Sequence, residues 1–231
     1  MNTVKVRNLE LGGGIPAVCI PNVGKTKEEI LTLTEQYKSM PMDLMEWRVD
    51  WFEGVEDTQA VLDVLSGIRE KLGDTPLLFT FRTKKEGGVH DMDTAAYIAL
   101  NKAVAATKLA DLIDVEIFTG DEIVSELIRA IHASGTKVVA SNHDFDRTPA
   151  KSDIVYRLRK MQDMGADIPK IAVMPRSKRD VLTLLSATEE MASDYADRPI
   201  ITMSMGAGVV SRLCGEYVGS AMTFGAVGQV S

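Results

Sequence analysis

The stretch Ile168-Pro169-Lys170-Ile171-Ala172-Val173-Met174-Pro175 gives the first indication of the fold. A short apolar run of this kind is typical of a strand buried on both faces in a parallel sheet. A charged side chain, Lys170, interrupts the run. Burial disfavours the ammonium form, so the neutral amine that attacks carbonyl groups becomes available near neutral pH. In the alternative interpretation, the alkyl stem packs in the core while the ammonium group reaches water.

Working outward from this run, apolar stretches alternate with amphipathic ones along the whole chain. The preceding apolar run, 137–144, contains His143, so two successive strands present an amine and an imidazole at one end of a sheet. The other predicted strands are 17–21, 44–50, 77–83, 112–118, 200–205 and 221–227. The predicted helices are 27–39, 94–109, 121–133, 152–164 and 178–193, with Asp121 and Ser152 as N-terminal caps and Gly165 as a C-terminal stop.

Eight strands alternating with helices at this length favour a TIM (β/α)8 barrel over an open sheet. No linker rich in proline, glycine or serine divides the chain, so the prediction is one barrel domain over 1–231. Residues 4–15, which contain three consecutive glycines, are predicted to form a small β-hairpin before the first barrel strand.

Composition narrows the classes of function. The hydrophobic content of 45% and the charged content of 26% are ordinary for a globular protein, and the net charge of −7 argues against a nucleic-acid partner. No stretch approaches the roughly 18 apolar residues of a membrane span, and the N-terminus lacks a signal-peptide core, so a cytoplasmic protein is expected. Cys19 and Cys214 lie far apart without metal-ligand neighbours and are interpreted as packing residues.

In TIM barrels the chemistry lies at the carboxyl ends of the strands. Charged side chains that point into a barrel must pair or bind a ligand, because an unpaired buried charge costs several kcal/mol. The candidates at these strand ends are Glu46, Arg48, Arg82, Glu86, Asp114, Glu116, His143 and Lys170.

Most candidates also have a purely structural interpretation. Glu46 and Arg48 could pair with each other or with Arg82, Glu86 could be a solvated turn residue before two glycines, and His143 could be a core histidine with satisfied hydrogen bonds. A structural or packing role is the first interpretation for Asp114, Glu116, Met203, Met205, His90 and His132. Convergence on one barrel mouth favours function, since unrelated structural features need not cluster there.

Six segments resemble those of one known family, type I 3-dehydroquinate dehydratase, over about Val4 to Gln229. They are Glu46-Trp47-Arg48-Val49-Asp50, Phe79-Thr80-Phe81-Arg82 with Glu86-Gly87-Gly88, Ser141-Asn142-His143-Asp144-Phe145, Pro169-Lys170-Ile171-Ala172-Val173-Met174-Pro175, Ser211-Arg212-Leu213 and Gly225-Ala226-Val227.

The resemblance implies a TIM barrel, usually a homodimer, that dehydrates the anionic substrate 3-dehydroquinate in the shikimate pathway without a metal or organic cofactor. It also implies that Lys170 forms a Schiff base, that His143 shuttles protons and that Glu86 orients this histidine. The substrate-binding residues implied by the resemblance are Glu46, Arg48, Arg82, Arg212 and Gln229.

The sequence departs from the family pattern in three places. Pro21 stands where the family often has a substrate-contacting serine, and the loop Gly206-Ala207-Gly208 is one residue short. The family's Ser-Ala-Pro segment before Gly228-Gln229 and its last helix have no counterpart in the given sequence, so a missing lid and a missing eighth helix are expected.

Two other functions remain open from the sequence. A class I aldolase would use the same barrel and lysine imine to break a carbon–carbon bond. A barrel inactivated by its shortened C-terminus would bind substrate without turnover.

Overall fold

A ring of parallel strands forms the centre of the molecule in a computed structural model, which describes residues 2–227. A short antiparallel hairpin, β1 (Val4–Val6) and β2 (Leu9–Leu11), precedes the ring. The barrel strands are β3 (Ala17–Asn22), β4 (Leu44–Arg48), β5 (Leu77–Thr80), β6 (Leu112–Glu116), β7 (Lys137–Asp144), β8 (Ile168–Val173), β9 (Ile201–Ser204) and β10 (Met222–Phe224).

The eight strands lie in sequence order, and β10 returns to pair in parallel with β3. A parallel bridge between Ile200 and Ser220 links the two ends of the sheet, and the Ala221 amide donates to the Ile200 carbonyl at 2.8 Å. The predicted TIM barrel with its N-terminal hairpin is therefore confirmed.

Helices cover the outside of the ring. They are α1 (Lys27–Lys38), α2 (Thr58–Leu72), α3 (Thr94–Thr107), α4 (Asp121–Ala133), α5 (Lys151–Asp163), α6 (Lys178–Glu190) and the short α7 (Val210–Leu213) and α8 (Gly215–Val218). The sequence-based prediction missed α2, although Asp57 caps its N-terminus through hydrogen bonds to Gln59 and Ala60. None of the helices described within 2–227 is long and apolar enough to cross a membrane.

Two predicted caps are wrong. Asp121 is the first residue of α4 and its side chain makes no capping bond, because Gly120 occupies the cap position. Ser152 lies inside the first turn of α5, whose cap position is Ala150. Gly165, with φ of 93°, immediately follows the end of α5 as predicted.

The amino-terminal end of the barrel is filled with apolar side chains. Val6 and Leu11 from the hairpin are buried against the first residues of several strands, among them Leu44, Leu112 and Ile168. This apolar plug leaves the opposite, carboxyl-terminal end of the barrel for polar side chains.

Candidate active site

A pocket of about 410 Å³ opens at the carboxyl ends of the strands. It is lined by Pro21, Val23, Glu46, Arg48, Trp51, Arg82, Gly87, His143, Phe145, Lys170, Ala172, Met174, Met203, Met205, Gly206, Arg212, Phe224 and Gly225. Six predicted site residues therefore share one pocket, and a seventh, Glu86, lies behind His143. Gln229 lies outside the described residues.

Lys170 projects from β8 into the pocket with only 3% of its surface exposed. Its Nζ lies 4.0 Å from Glu46 Oε1 and 3.9 Å from Asp114 Oδ2. The ring centroid of Phe224 lies 4.4 Å from the same atom. Two carboxylates and an aromatic face would stabilise a positive charge on this nitrogen, whether ammonium or iminium.

His143 and Glu86 form a buried pair. The Nδ1 atom of His143 lies 3.0 Å from Glu86 Oε2, and the backbone amide of His143 donates to the same oxygen at 2.9 Å. Burial, reinforced by the positive charges of Arg82, Lys170 and Arg48, holds the pKa of His143 well below its usual range. Burial raises the pKa of Glu86 to about 8 against the opposing effect of Arg82. The imidazole is therefore neutral, and its Nε2 can accept a proton when the Glu86 carboxylate is ionised and receives the Nδ1 proton.

Arg82 is the centre of a carboxylate network. Its Nη1 donates to Glu116 and to Ser141, both at 2.9 Å, and its Nη2 lies 2.9 Å from Asp114 Oδ2. Burial opposes the charge, but these carboxylates together with Glu86 raise the pKa of Arg82 well above its usual range. The guanidinium thus connects the carboxylate beside Lys170 with the one beside His143.

Arg48 and Glu46 are held in place by separate partners. The guanidinium of Arg48 makes a two-point ion pair with Asp50 at 2.8 and 2.9 Å. Glu46 accepts a hydrogen bond from the Thr80 hydroxyl at 2.8 Å. Strand alternation places Glu46 and Arg48 in the pocket and Trp47 in the outer core, as the sequence predicts.

The opposite wall combines a cation with apolar side chains. Arg212, on α7, lines the pocket, and within residues 2–227 its buried Nε has no hydrogen-bond partner. Met203 and Met205, interpreted as packing residues from the sequence, also line the pocket. A guanidinium whose Nε is unpaired among the described residues, beside an apolar wall, suits a compact ligand that carries a carboxylate.

Sequence reasoning missed the roles of several polar neighbours. Asp114 was assigned to structure, yet its Oδ2 lies between Arg82 and Lys170. Asn142, next to the predicted base, donates to Glu86 Oε1 at 3.2 Å. For Asp114 the available signal was the alternation Asp114-Val115-Glu116 in a barrel strand, because this alternation points both acidic side chains inward.

The remaining histidines and cysteines are not among the residues that line the pocket. His90 contacts Glu56 at 3.2 Å, and His132 contacts Asp167 at 2.7 Å. Cys19 and Cys214 are both free thiols. Across the described part of the chain, no group of three or more His, Cys, Asp or Glu side chains has the geometry of a metal site.

One barrel mouth contains a buried amine, a neutral imidazole and a guanidinium whose Nε has no partner among residues 2–227. These groups define a TIM-barrel enzyme equipped for carbonyl chemistry through an amine. Comparison with known proteins makes this class specific. The family described as Type I 3-dehydroquinase matches residues 18–231. The chain belongs to this type I 3-dehydroquinase family.

Relatives that match nearly the whole chain agree with this family assignment. A 3-dehydroquinate dehydratase of Clostridioides difficile strain 630 is 52% identical over 229 residues, which cover 99% of this chain and 90% of the relative. One of Syntrophotalea carbinolica is 53% identical over 232 residues, covering 100% and 92%. The crystal structure of type I 3-dehydroquinate dehydratase from Clostridium difficile superposes with a TM-score of 0.97 at 51% identity, covering 100% of this chain and 91% of that chain.

Proposed function

We propose that this protein is a 3-dehydroquinate dehydratase that eliminates water from 3-dehydroquinate through a Schiff base on Lys170. The observation that carries the proposal is the buried amine beside the His143–Glu86 pair in a member of this family. The Clostridium difficile structure holds covalently modified comenic acid, which supports a covalent step in the family.

In the first stage the neutral amine of Lys170 attacks the C3 ketone to form a carbinolamine. Uptake of one proton and loss of one water give an iminium, and the final hydrolysis returns that proton. Its positive nitrogen withdraws electrons and acidifies the proton on C2. Glu46 and Asp114, each about 4 Å from Nζ, stabilise the positive charge as it forms.

In the second stage His143 removes the C2 proton through Nε2, while Nδ1 stays bound to Glu86. The resulting enamine expels the C1 hydroxyl, and His143 returns its proton to the departing oxygen as a second water leaves. Hydrolysis of the conjugated imine consumes one water, releases 3-dehydroshikimate and regenerates Lys170.

The substrate is held by the other residues of the pocket. We assign the C1 carboxylate to Arg212, whose Nε has no partner within 2–227. Its guanidinium can donate two parallel hydrogen bonds to a carboxylate. Glu46, Arg48 and Arg82 orient the ring hydroxyls. A contribution from Gln229 remains a prediction, because this residue lies outside the described part of the chain.

Borohydride trapping tests the proposal. Wild-type protein mixed with 3-dehydroquinate should develop the absorbance of a conjugated enone, and reduction with borohydride should leave an adduct on Lys170 that mass spectrometry locates. Lys170→Ala should lose both signals, whereas Lys102→Ala, which removes an exposed lysine on α3, should keep them. An adduct on another lysine, or two smaller carbonyl products as an aldolase would give, would overturn the proposal.

The second experiment separates imine formation from proton transfer. His143→Ala should still be trapped by borohydride through Lys170 but should lose about 10²-fold to 10⁴-fold in kcat, the usual contribution of a positioned general base. Near-normal turnover would remove His143 from the mechanism.

We further propose that the chain acts as one barrel domain, in the cytoplasm and as a homodimer. The side chains of Val209, Val210, Leu213 and Tyr217 support an interface, since all four are more than half exposed on, or next to, the consecutive short helices α7 and α8. Sedimentation equilibrium tests the association, and a monomer at micromolar concentration would contradict it.

A further inference from the structure

A chain of hydrogen bonds reaches the His143–Glu86 pair from the outside of the barrel. Arg157, on α5, donates from Nη1 to Asn142 Oδ1 at 2.9 Å, and Asn142 Nδ2 donates to Glu86 Oε1 at 3.2 Å. The other carboxylate oxygen of Glu86 receives the two bonds from His143. These hydrogen bonds therefore connect α5 to the imidazole of His143 through two buried side chains.

The two partners of Asn142, which are Arg157 and Glu86, fix how its side-chain amide is oriented. A guanidinium can only donate hydrogen bonds, so the atom of Asn142 that faces Arg157 must be oxygen. The nitrogen then faces Glu86 and donates to it. Asn142 is only 4% exposed, so a flipped amide would leave buried donors facing one another.

Arg157 is itself held rigidly. Its Nε and Nη2 bond both carboxylate oxygens of Asp153 at 3.2 and 2.7 Å, and its guanidinium lies 5.5 Å from the ring centroid of Phe118. Asp144 Oδ2 lies 3.6 Å from Nη1. With its other nitrogens occupied, Nη1 is directed at Asn142.

We infer that Asn142 and Arg157 are positioning residues that favour the ionised form of Glu86 as acceptor for the His143 Nδ1 proton, so that Nε2 faces the substrate as a base. The inference deepens the proposed function and rests on His143 as its base. If Glu86 were protonated, its proton would lie toward Nδ1, and Nε2 would carry a hydrogen and could not remove one from the substrate. The amide donor of Asn142 favours the ionised carboxylate and so extends the base form of His143 to lower pH.

Other charges act on the same pair from every side. They are Arg48 on β4, Arg82 after β5, Lys84 and Lys85 in the turn that carries Glu86, Asp114 and Glu116 on β6, Asp144 and Asp146 around the end of β7, and Lys170 on β8. All of these charged residues are unchanged in the variants described next. A difference in titration between the variants therefore reports the effect of the Asn142 amide or of the Arg157 guanidinium.

The experiment measures the tautomer and titration of His143 by ¹⁵N NMR, which is practical because the chain has 3 histidines. A His143→Ala spectrum assigns the resonances. In Asn142→Leu, loss of the donor should move the titration of the pair about one pH unit upward, since one unit corresponds to a modest hydrogen bond to a charged group. The acidic limb of kcat/KM should move with it, lowering kcat/KM about tenfold at pH 7, while borohydride trapping on Lys170 persists.

Arg157→Met should shift the titration in the same direction by less, because the amide of Asn142 stays in place but loses its orientation. Arg157→Lys, which keeps a donor and a charge, should restore part of the shift. Arg159→Met is the matched control, since Arg159 lies on the same helix and stacks on Tyr195 at 4.5 Å away from the site. Arg159→Met should leave the tautomer of His143 and the acidic limb of the kcat/KM profile unchanged.

A folded Asn142→Leu protein whose titration and acidic limb match wild type would overturn the inference, as would equal shifts in Arg159→Met. If Asn142→Leu does not fold, Arg157→Met carries the same test. Failure of the proposed function is distinguishable, because it would abolish turnover and trapping in the wild type, whereas the NMR titration needs no substrate.

Discussion

At the scale of single residues, the site places a negative charge where the reaction creates a positive one. Asp114 Oδ2 lies 3.9 Å from Lys170 Nζ and 2.9 Å from the Arg82 guanidinium, and Ser141 holds its other oxygen at 2.7 Å. The carboxylate is fully buried, so its field at the amine is weakly screened. Asp114 should therefore stabilise the iminium more than the neutral amine that precedes it.

Asp114→Asn removes this charge with little change in shape. We expect kcat to fall roughly 10-fold to 100-fold, equivalent to about 1.4 to 2.7 kcal/mol, and borohydride trapping to slow in parallel. Asp111→Asn is the control, because Asp111 is also ion-paired but bonds Arg69 and Arg7 elsewhere in the barrel. Stopped-flow trapping and steady-state kinetics measure both variants, and equal kcat in the two would assign Asp114 a structural role alone.

The sequence singles out a candidate site residue most readily where a polar side chain interrupts an apolar strand. Lys170 and His143 stand out for this reason, and the structure brings them to one pocket. Asn142 is not among the sequence-based candidates, because its importance depends on a partner that lies far from it in the sequence. Glu86, for example, lies 56 positions from Asn142, and no local pattern reveals that pairing.

At the scale of elements, the hairpin of β1 and β2 acts as the floor of the barrel. Leu11 is 1% exposed and packs with Val6 against the starts of the barrel strands. Leu11→Ala should lower the free energy of unfolding by about 2 to 5 kcal/mol through lost burial and a cavity. Because the plug lies at the end opposite the pocket, kcat and KM at 25 °C should not change.

Glu10→Ala supplies the control on the same strand, since the Glu10 side chain is exposed. Guanidinium unfolding monitored by circular dichroism measures both variants. A Leu11→Ala protein as stable as Glu10→Ala would show that the hairpin does not support the barrel, and a raised KM would show that the two ends are coupled.

Element prediction was accurate in the interior and weaker at the mouth. The limits 121–133 and 137–144 match α4 and β7, whereas the predicted strand 77–83 ends at Thr80. Phe81 and Arg82 are as buried as the strand itself although the chain has left the ladder. At the mouth of the barrel, burial therefore continues beyond the last hydrogen-bonded residue of a strand. A strand predicted from the apolar pattern is for this reason longer than the observed one.

At the scale of the whole molecule, the count of alternating elements was enough to predict a closed barrel, but not the balance of charge inside it. That balance has a consequence for stability. In the unfolded chain the glutamate and histidine of the Glu86–His143 pair would titrate near 4.3 and 6.5. In the folded protein burial raises the pKa of Glu86 to about 8 and lowers that of His143. Between about pH 6.5 and 8 the folded pair therefore holds roughly half a proton more than the unfolded pair, and somewhat more than that in the middle of the window.

Stability must fall as pH rises wherever the folded state binds more protons. One proton corresponds to about 1.4 kcal/mol per pH unit, so this smaller difference should cost the wild type about 1 kcal/mol between pH 6.5 and 8. Glu86→Gln cannot take up that proton, and its stability should lack this part of the decline. Chemical unfolding of both proteins at pH 6.5 and 8.5 measures the difference, in which the titrating groups that do not contact Glu86 cancel. If the gap between the two proteins is the same at both pH values, Glu86 does not titrate in this range, and the base form of His143 is then limited by the imidazole alone.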